Sequence, residues 1–268
     1  MNNIFASLMF FTRLPWWRLR NVPKEAFAHV VDWWPLIGWL TGDVMASVFL
    51  VCMALGLPTA ICTLLAIFSR LLLTGALHED GLADFCDGFG GGTSRARTLI
   101  IMKDSHIGTY GVLGLIIYIG LYWALMTNIV QQPISSPSTM WHTATLIMLF
   151  DVVGKCAASL ITGQLPYART IDEAKNQVVY IGRTWQGWLL HSLRCVVALA
   201  LPLALCVYVG MGIVVLLLPV PFIVELLLML WMRRRLGGYT GDCCGALFLL
   251  CELSIYLACL LLALNLSA

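Results

Sequence analysis

Residues 58–77 read PTAICTLLAIFSRLLLTGAL and run without a break into His78-Glu79-Asp80-Gly81-Leu82-Ala83-Asp84-Phe85-Cys86-Asp87-Gly88. The first part is twenty residues with one charge, Arg70, about the length a helix needs to cross the ~30 Å hydrocarbon core of a bilayer. The second part turns polar within a few residues. A membrane helix that delivers a group of carboxylates to the membrane surface decides both the fold and the chemistry.

The rest of the chain repeats the first part. Of its 268 residues 60% are hydrophobic and 11% charged, against roughly 45–50% and about 25% in soluble domains; mean hydropathy is +0.88. A soluble fold could not cover its surface with so few charges, which excludes a peripheral enzyme, a nucleic-acid binder and a disordered chain. The net charge of +2 carries no information about partners. Further apolar runs at 33–56, 110–130, 139–162, 187–208, 210–232 and 246–266 predict an all-α, polytopic integral membrane protein of about seven transmembrane helices, a single membrane-embedded domain over 1–268. Pro219 and Pro221 interrupt the sixth run. The opening MNNIFASLMFFTRLPWW lacks the basic start and cleavage site of a signal peptide. We expect about residues 1–25 to form an interfacial amphipathic segment with Trp16 and Trp17 at headgroup depth. Cys52, Cys62, Cys195, Cys206 and Cys259 lie in apolar runs, Cys86, Cys243 and Cys244 in expected cytosolic loops, and no CxxC pair occurs, so reduced thiols are expected.

Basic residues set the orientation. Arg13, Arg18, Arg20 and Lys24 precede the first run; Arg95, Arg97 and Lys103 follow the second; Arg169, Lys175 and Arg183 follow the fourth; Arg233, Arg234 and Arg235 follow the sixth. The connections at 57, 131–138 and 209 and the C-terminal tail carry none. The N-terminus and the acidic segment are therefore expected on the cytoplasmic side.

Five of the 14 acidic residues, Glu79, Asp80, Asp84, Asp87 and Asp104, fall within 26 positions. If the second helix continues, Asp80, Asp84 and Asp87 share one face and repel one another, so a cation must compensate. Oxygen-only donors point to Mg²⁺ or Mn²⁺ rather than zinc; the alternative is a solvated acidic loop. The run Gly88-Phe89-Gly90-Gly91-Gly92-Thr93-Ser94-Arg95-Ala96-Arg97 is either a flexible loop or an anion nest with two arginines beside it; neither a Walker A nor a GxGxxG pattern is present. In Met102 to Gly111, Lys103 could neutralise phosphate and Asp104 complete a metal shell, or both could serve as cap and anchor. Gly237-Gly238-Tyr239-Thr240-Gly241-Asp242 sets a lone carboxylate among glycines, and Glu252 follows inside the last run. Charges inside the membrane are candidates for function: Asp151 and Lys155 are spaced to pair, whereas Asp43, Arg70, Arg194 and Glu225 have no local partner.

Together these motifs resemble the cobalamin synthase family, the adenosylcobinamide-GDP ribazoletransferases of vitamin B12 biosynthesis. Residues 78–88 are similar to the family's H-x-D-G-L-A-D-x-x-D-G, 102–111 to M-x-D-S-x-x-G-T-x-G, and 237–242 to G-G-x-T-G-D, with Glu252 matching a later Glu. Thr12-Arg13-Leu14-Pro15 and Pro35-Leu36-Ile37-Gly38 are weaker matches. The resemblance implies a Mg²⁺-dependent enzyme of the bacterial inner membrane. A hydroxyl of α-ribazole or its 5′-phosphate would attack the phosphoryl group carried by adenosylcobinamide-GDP, releasing GMP. It implies Asp80, Asp84 and Asp87 as metal ligands with Glu79 or Asp104 completing the shell, and His78 as base or as an orienting group. Lys103, Arg95 and Arg97 would hold the pyrophosphate and GMP, and Asp242 and Glu252 would join the binding site. His106 stands where the family often has arginine, so a phosphate grip there would depend on pH. The lipid bilayer is an expected partner and nucleic acid is not.

Two other classes compete. CDP-alcohol phosphotransferases also use membrane-embedded aspartates with Mg²⁺, but their pattern expects Ala and Arg where Asp84 and Phe85 stand. A cation transporter using Asp43, Asp151 and Glu225 would suit an interrupted sixth helix, but not acids concentrated at the membrane surface.

Overall fold

Each apolar run becomes helix in the computed structural model, which describes residues 1–131, 139–170 and 180–267. In chain order the helices are α1 (Asn2–Phe11), α2 (Trp34–Ala54), α3 (Thr59–Thr74), α4 (Leu77–Gly91), α5 (Arg95–Ile101), α6 (Thr109–Gln131), α7 (Thr139–Ser159), α8 (Ile161–Gln164), α9 (Trp185–Tyr208), α10 (Pro219–Leu236) and α11 (Gly241–Ser267). A 3-10 stretch, Lys24–Trp33, leads straight into α2, and another, Gly212–Leu217, into α10. No strand forms among the described residues; one isolated bridge joins Tyr167 to Tyr239.

Six helices are long and apolar enough to cross a membrane, and the bent pair α3–α4 makes a seventh if taken as one span. Six of the seven expected crossings thus appear as long helices of a polytopic bundle, and the seventh corresponds to the bent pair. Helix α7 is its axis: every residue from Thr143 to Ser159 is buried, against α2, α9, α10 and α11. The surrounding helices expose apolar side chains instead, among them Phe68 and Leu72 on α3, Ile116 on α6, Val196 on α9 and Leu227 on α10. Such a belt belongs in lipid, where a helix satisfies its own backbone.

The second run does not continue straight into the acidic segment. Gly75 (φ 66) and Ala76 (φ 56) both adopt the left-handed conformation, and α4 leaves at 90° to α3. Glycine takes this conformation freely at a helix end; Ala76 is held there as its N–H closes back on Leu71 O at 3.0 Å. The N-terminal segment completes the corner, with Arg13 N–H donating to Leu73 O at 2.7 Å.

Three further boundaries differ. Pro219 and Pro221 stand at and near the start of α10, where a proline needs no N–H donor, so they begin a helix instead of breaking one. Helix α11 starts five residues before 246, so Asp242, Cys243 and Cys244 are helical, as is Cys86 on α4. Gly88 to Gly91 form the last turn of α4, which removes the glycine nest. All ten thiols are free. Helix α1 is packed into the bundle end, with Ser7 Oγ donating to Val30 O at 2.8 Å and Phe11 buried, while Trp17 is exposed.

The basic connections meet at one end. Arg95 donates to Leu236 O (2.7 Å) and Ala168 O (3.0 Å), Arg169 to Leu99 O (3.0 Å) and Arg235 to Gly92 O (2.6 Å). Segments that follow α4, α8 and α10 are thereby laced together beside α4. Lys175 and the connection at 132–138 lie outside the described residues.

Candidate active site

Helix α4 packs between α11 and α6, and small residues set how closely. A Cβ on Gly81 would stand 3.0 Å from Asp242 O, and one on Gly245 would stand 3.0 Å from His78 O. The two backbones touch through this glycine pair, which brings Asp242, in the first turn of α11, beside Asp80. On the opposite flank Asp87 accepts from Gly108 N–H (2.7 Å) and Gly111 N–H (2.8 Å), satisfying two orphan donors at the start of α6.

The three aspartates share the expected helical register but not one environment. Asp80 is exposed, Asp84 half-buried and Asp87 buried, with both Asp87 oxygens bonded to α6. Glu79 is buried and reaches toward Arg70 at 3.8 Å.

Two cavities meet at Asp80. The smaller, about 250 Å³, has Phe11, Trp34, His78, Tyr167 and Tyr180 among its walls, with Arg169 and Asp242 at its polar edge. The Phe11 and Trp34 rings are parallel at 4.9 Å, and Trp34 stacks on His78 at 5.4 Å. His78 is only 2% exposed, and neither ring nitrogen has a protein partner. Burial pushes the Tyr167 phenol up to about 12 and raises that of Tyr180 as well, so these two tyrosines are neutral hydrogen-bonding walls. The larger cavity, about 600 Å³, is lined by Thr12, Arg13, Glu79, Asp80 and Ile107 among others.

Among the described residues no three His, Cys, Asp or Glu side chains enclose a point where a metal ion could sit. A magnesium ion does not require such a cage: it takes one or two carboxylates and fills its shell with water and phosphate oxygens. Asp80 lines both cavities, Asp242 lines the smaller one, and Asp84 stands one helical turn from Asp80; Asp80 with one of these two is a carboxylate pair of the kind such an ion could use.

The remaining candidates are placed otherwise. Arg95 spans backbone carbonyls as described above, and Arg97 and Lys103 are exposed. His106, with its side chain 91% exposed, bonds Asp104 at 2.8 Å, and the His106 N–H holds the Asp104 carboxyl below its ordinary range. None of these five lines either cavity. Glu252 does not approach Asp242. It lies fully buried where Arg70 donates to both its oxygens at 2.7 Å. Arg70 also lies 3.4 Å from Asp151 and donates to Tyr118 at 2.9 Å. Asp151 pairs with Lys155, as its spacing suggested, and accepts from Thr41 at 2.6 Å. Arg70 is therefore paired by distant helices, and Arg194 stacks 4.4 Å over Trp33.

Sequence reasoning missed Phe11, Trp34, Tyr167, Arg169 and Tyr180 as walls of one cavity and Arg13 as part of the other. Only Arg13 had a signal, the Thr12-Arg13-Leu14-Pro15 match. Arg169 counted merely as one basic loop residue, and the aromatics are indistinguishable from core in so apolar a chain.

A family model described as cobalamin-5-phosphate synthase matches residues 3–260. Curated relatives named adenosylcobinamide-GDP ribazoletransferase include those of Shewanella amazonensis, 33% identical with 96% of this chain and 94% of the relative covered, and Leptothrix cholodnii, 35% identical with 94% and 92% covered. That of Vibrio cholerae is 33% identical, with 94% and 90% covered. No solved structure matches. The motif order seen from residue 12 to residue 252 and the near-complete coverage of these relatives agree: the chain belongs to the cobalamin-5-phosphate synthase family.

Proposed function

We propose that the protein joins α-ribazole, or its 5′-phosphate, to adenosylcobinamide-GDP at the cytoplasmic face of a bacterial inner membrane. The acceptor hydroxyl attacks the phosphoryl group attached to cobinamide, the bond to GMP breaks, and adenosylcobalamin or its 5′-phosphate forms. The observation that carries this reading is Asp80 standing where two cavities meet, with Asp84 one turn along and Asp242 opposite. A reaction between two large substrates over a pyrophosphate needs two binding spaces and one charged point between them. Relatives of this name over nearly the whole chain support the substrates, and the basic connections gathered at this end support its cytoplasmic orientation.

Asp80, with Asp84 or Asp242 as its second carboxylate, would hold Mg²⁺, which when bound would neutralise pyrophosphate charge. His78 lies in the wall of the smaller cavity with both nitrogens free of protein partners; it takes the proton of the attacking hydroxyl on a ring nitrogen. The aromatic wall keeps water from that nitrogen. Asp87 acts at a distance by fixing α4 to α6.

The test is turnover by purified protein in liposomes, with GMP and the corrinoid product followed by chromatography. Wild type should form both, with product rising as Mg²⁺ is added. Asp80→Asn and Asp84→Asn should lose at least about a hundredfold in kcat while melting like wild type. Folded wild type that forms no product with Mg²⁺ present would sink the proposal; active Asp80→Asn and Asp84→Asn would remove the metal site from it.

A further inference from the structure

The two cavities differ in kind as well as size. The smaller has stacked rings on one side, the Tyr167 and Tyr180 phenols on another, and His78 in its wall as a buried group whose ring nitrogens have no protein partner. Flat aromatic walls favour a flat aromatic ligand, through offset and edge-to-face ring contacts. Two rings and two polar edges, Arg169 and Asp242, suit a heterocycle carrying a sugar. At about 250 Å³ this space is below the range of drug-sized pockets and far too small for a corrin ring. The larger cavity, about 600 Å³, takes polar lining from Arg13, Thr12, Glu79 and Asp80, with Arg13 the one cation among its described lining residues.

Resting on the transferase reading above, we infer that the two cavities divide the substrates: the aromatic one takes the heterocycle and ribose of the acceptor, and the one lined by Arg13 takes the phosphoanhydride of the donor. The donor also carries a flat base, guanine, so stacking alone does not choose between them. His78 chooses. The group that accepts the hydroxyl proton must lie against the acceptor, and His78 lies in the aromatic wall and does not line the other cavity. Asp80, common to both linings, then stands where hydroxyl and phosphoryl group meet. In this arrangement Arg13 binds phosphate oxygens while its backbone N–H holds the α3 corner through Leu73 O, so the donor site is tied to the bend that creates it.

The full-length protein in detergent micelles provides the test, with Tyr180→Leu, Tyr180→Phe, Arg13→Gln and Arg13→Lys. Removing a stacking ring should raise the KM for α-ribazole about tenfold or more and leave that for adenosylcobinamide-GDP within about twofold. Tyr180→Phe, which keeps the ring and loses only the phenol, should recover most of the affinity lost in Tyr180→Leu, a graded effect that simple misfolding would not give. Arg13→Gln should do the reverse, raising the donor KM about tenfold, with partial recovery in Arg13→Lys. Equilibrium dialysis of α-ribazole and of GMP, each alone, reads the same division without turnover: Tyr180→Leu should weaken the first and spare the second. If Tyr180→Leu instead weakens GMP and raises the donor KM, guanine occupies the aromatic cavity and the assignment is overturned. Both KM values moving together in both variants would overturn it too. Absence of product from wild type that still binds α-ribazole would count against the transferase reading and leave the dialysis result to decide the cavity.

Discussion

Replacing Arg70 by methionine should strongly destabilise the membrane core, and the reason is a count of charges. Arg70, 1% exposed, donates to both Glu252 oxygens at 2.7 Å and stands 3.4 Å from Asp151 and 3.8 Å from Glu79. With Lys155, fully buried on Asp151, the cluster holds two cations and three carboxylates. Arg70→Met leaves one cation against three carboxylates, and breaking such a pair typically costs about 3–5 kcal/mol because a buried charge loses its partner. For a chain of this size that corresponds to roughly 6–20 °C in Tm. Glu79→Gln has the opposite consequence: it leaves two cations against two carboxylates, so its effect should stay within about 1 kcal/mol. The double variant Arg70→Met/Glu252→Met removes one charge of each sign and should be more stable than Arg70→Met alone. Intrinsic tryptophan fluorescence during heating in micelles, with gel filtration to confirm monodispersity, measures all three. An Arg70→Met protein melting within about 2 °C of wild type would refute the count. So would Glu79→Gln melting as low as Arg70→Met, because the excess carboxylate would then not be excess.

Three further outcomes follow from single contacts. Asp87→Ala strands the N–H groups of Gly108 and Gly111, which should cost about 2–4 kcal/mol and appear as hydrogen exchange at 108–113 quickening before other parts of α6; unchanged exchange there would remove Asp87 as the anchor of that helix. Gly245→Ala puts a methyl 3.0 Å from His78 O, which should separate α11 from α4, cost about 1–3 kcal/mol and lower kcat; wild-type turnover would show that the glycine contact does not set the site. His106→Ala alters a side chain 91% exposed and bonded to Asp104, so kcat should change by no more than about twofold, as for ordinary surface substitutions, and a tenfold loss would return His106 to the catalytic set.

What was legible in the sequence follows from how far each determinant reaches along the chain. The crossings were legible because a span is a local property: about twenty apolar residues suffice whatever they touch. The acids on α4 were legible as one helical register, since Asp80, Asp84 and Asp87 are fixed by spacing alone. The bend was not, because it needs Ala76 in a conformation that alanine disfavours, and the group that closes the corner is Arg13, some sixty residues earlier. Nor were the three fates of the aspartates, since Asp87 is claimed by Gly108 and Gly111, 21 and 24 residues later. The partners of Arg70 lie 81 and 182 residues away, beyond any local pattern. One constraint does act at that range and can be used before any contact is known: charges in a low-dielectric core must nearly balance. Arg70, Lys155, Asp151 and Glu252 satisfy it as a set of two and two, with Glu79 at 3.8 Å as the excess carboxylate, so the lack of a local partner for Arg70 did not make it a free charge. Balance alone would still not have chosen the set, since Glu225, 2% exposed, stands outside the cluster and Asp43 opens on a separate cavity of about 840 Å³. Choosing the members took the crossing of α3, α7 and α11, which three-dimensional packing alone determines.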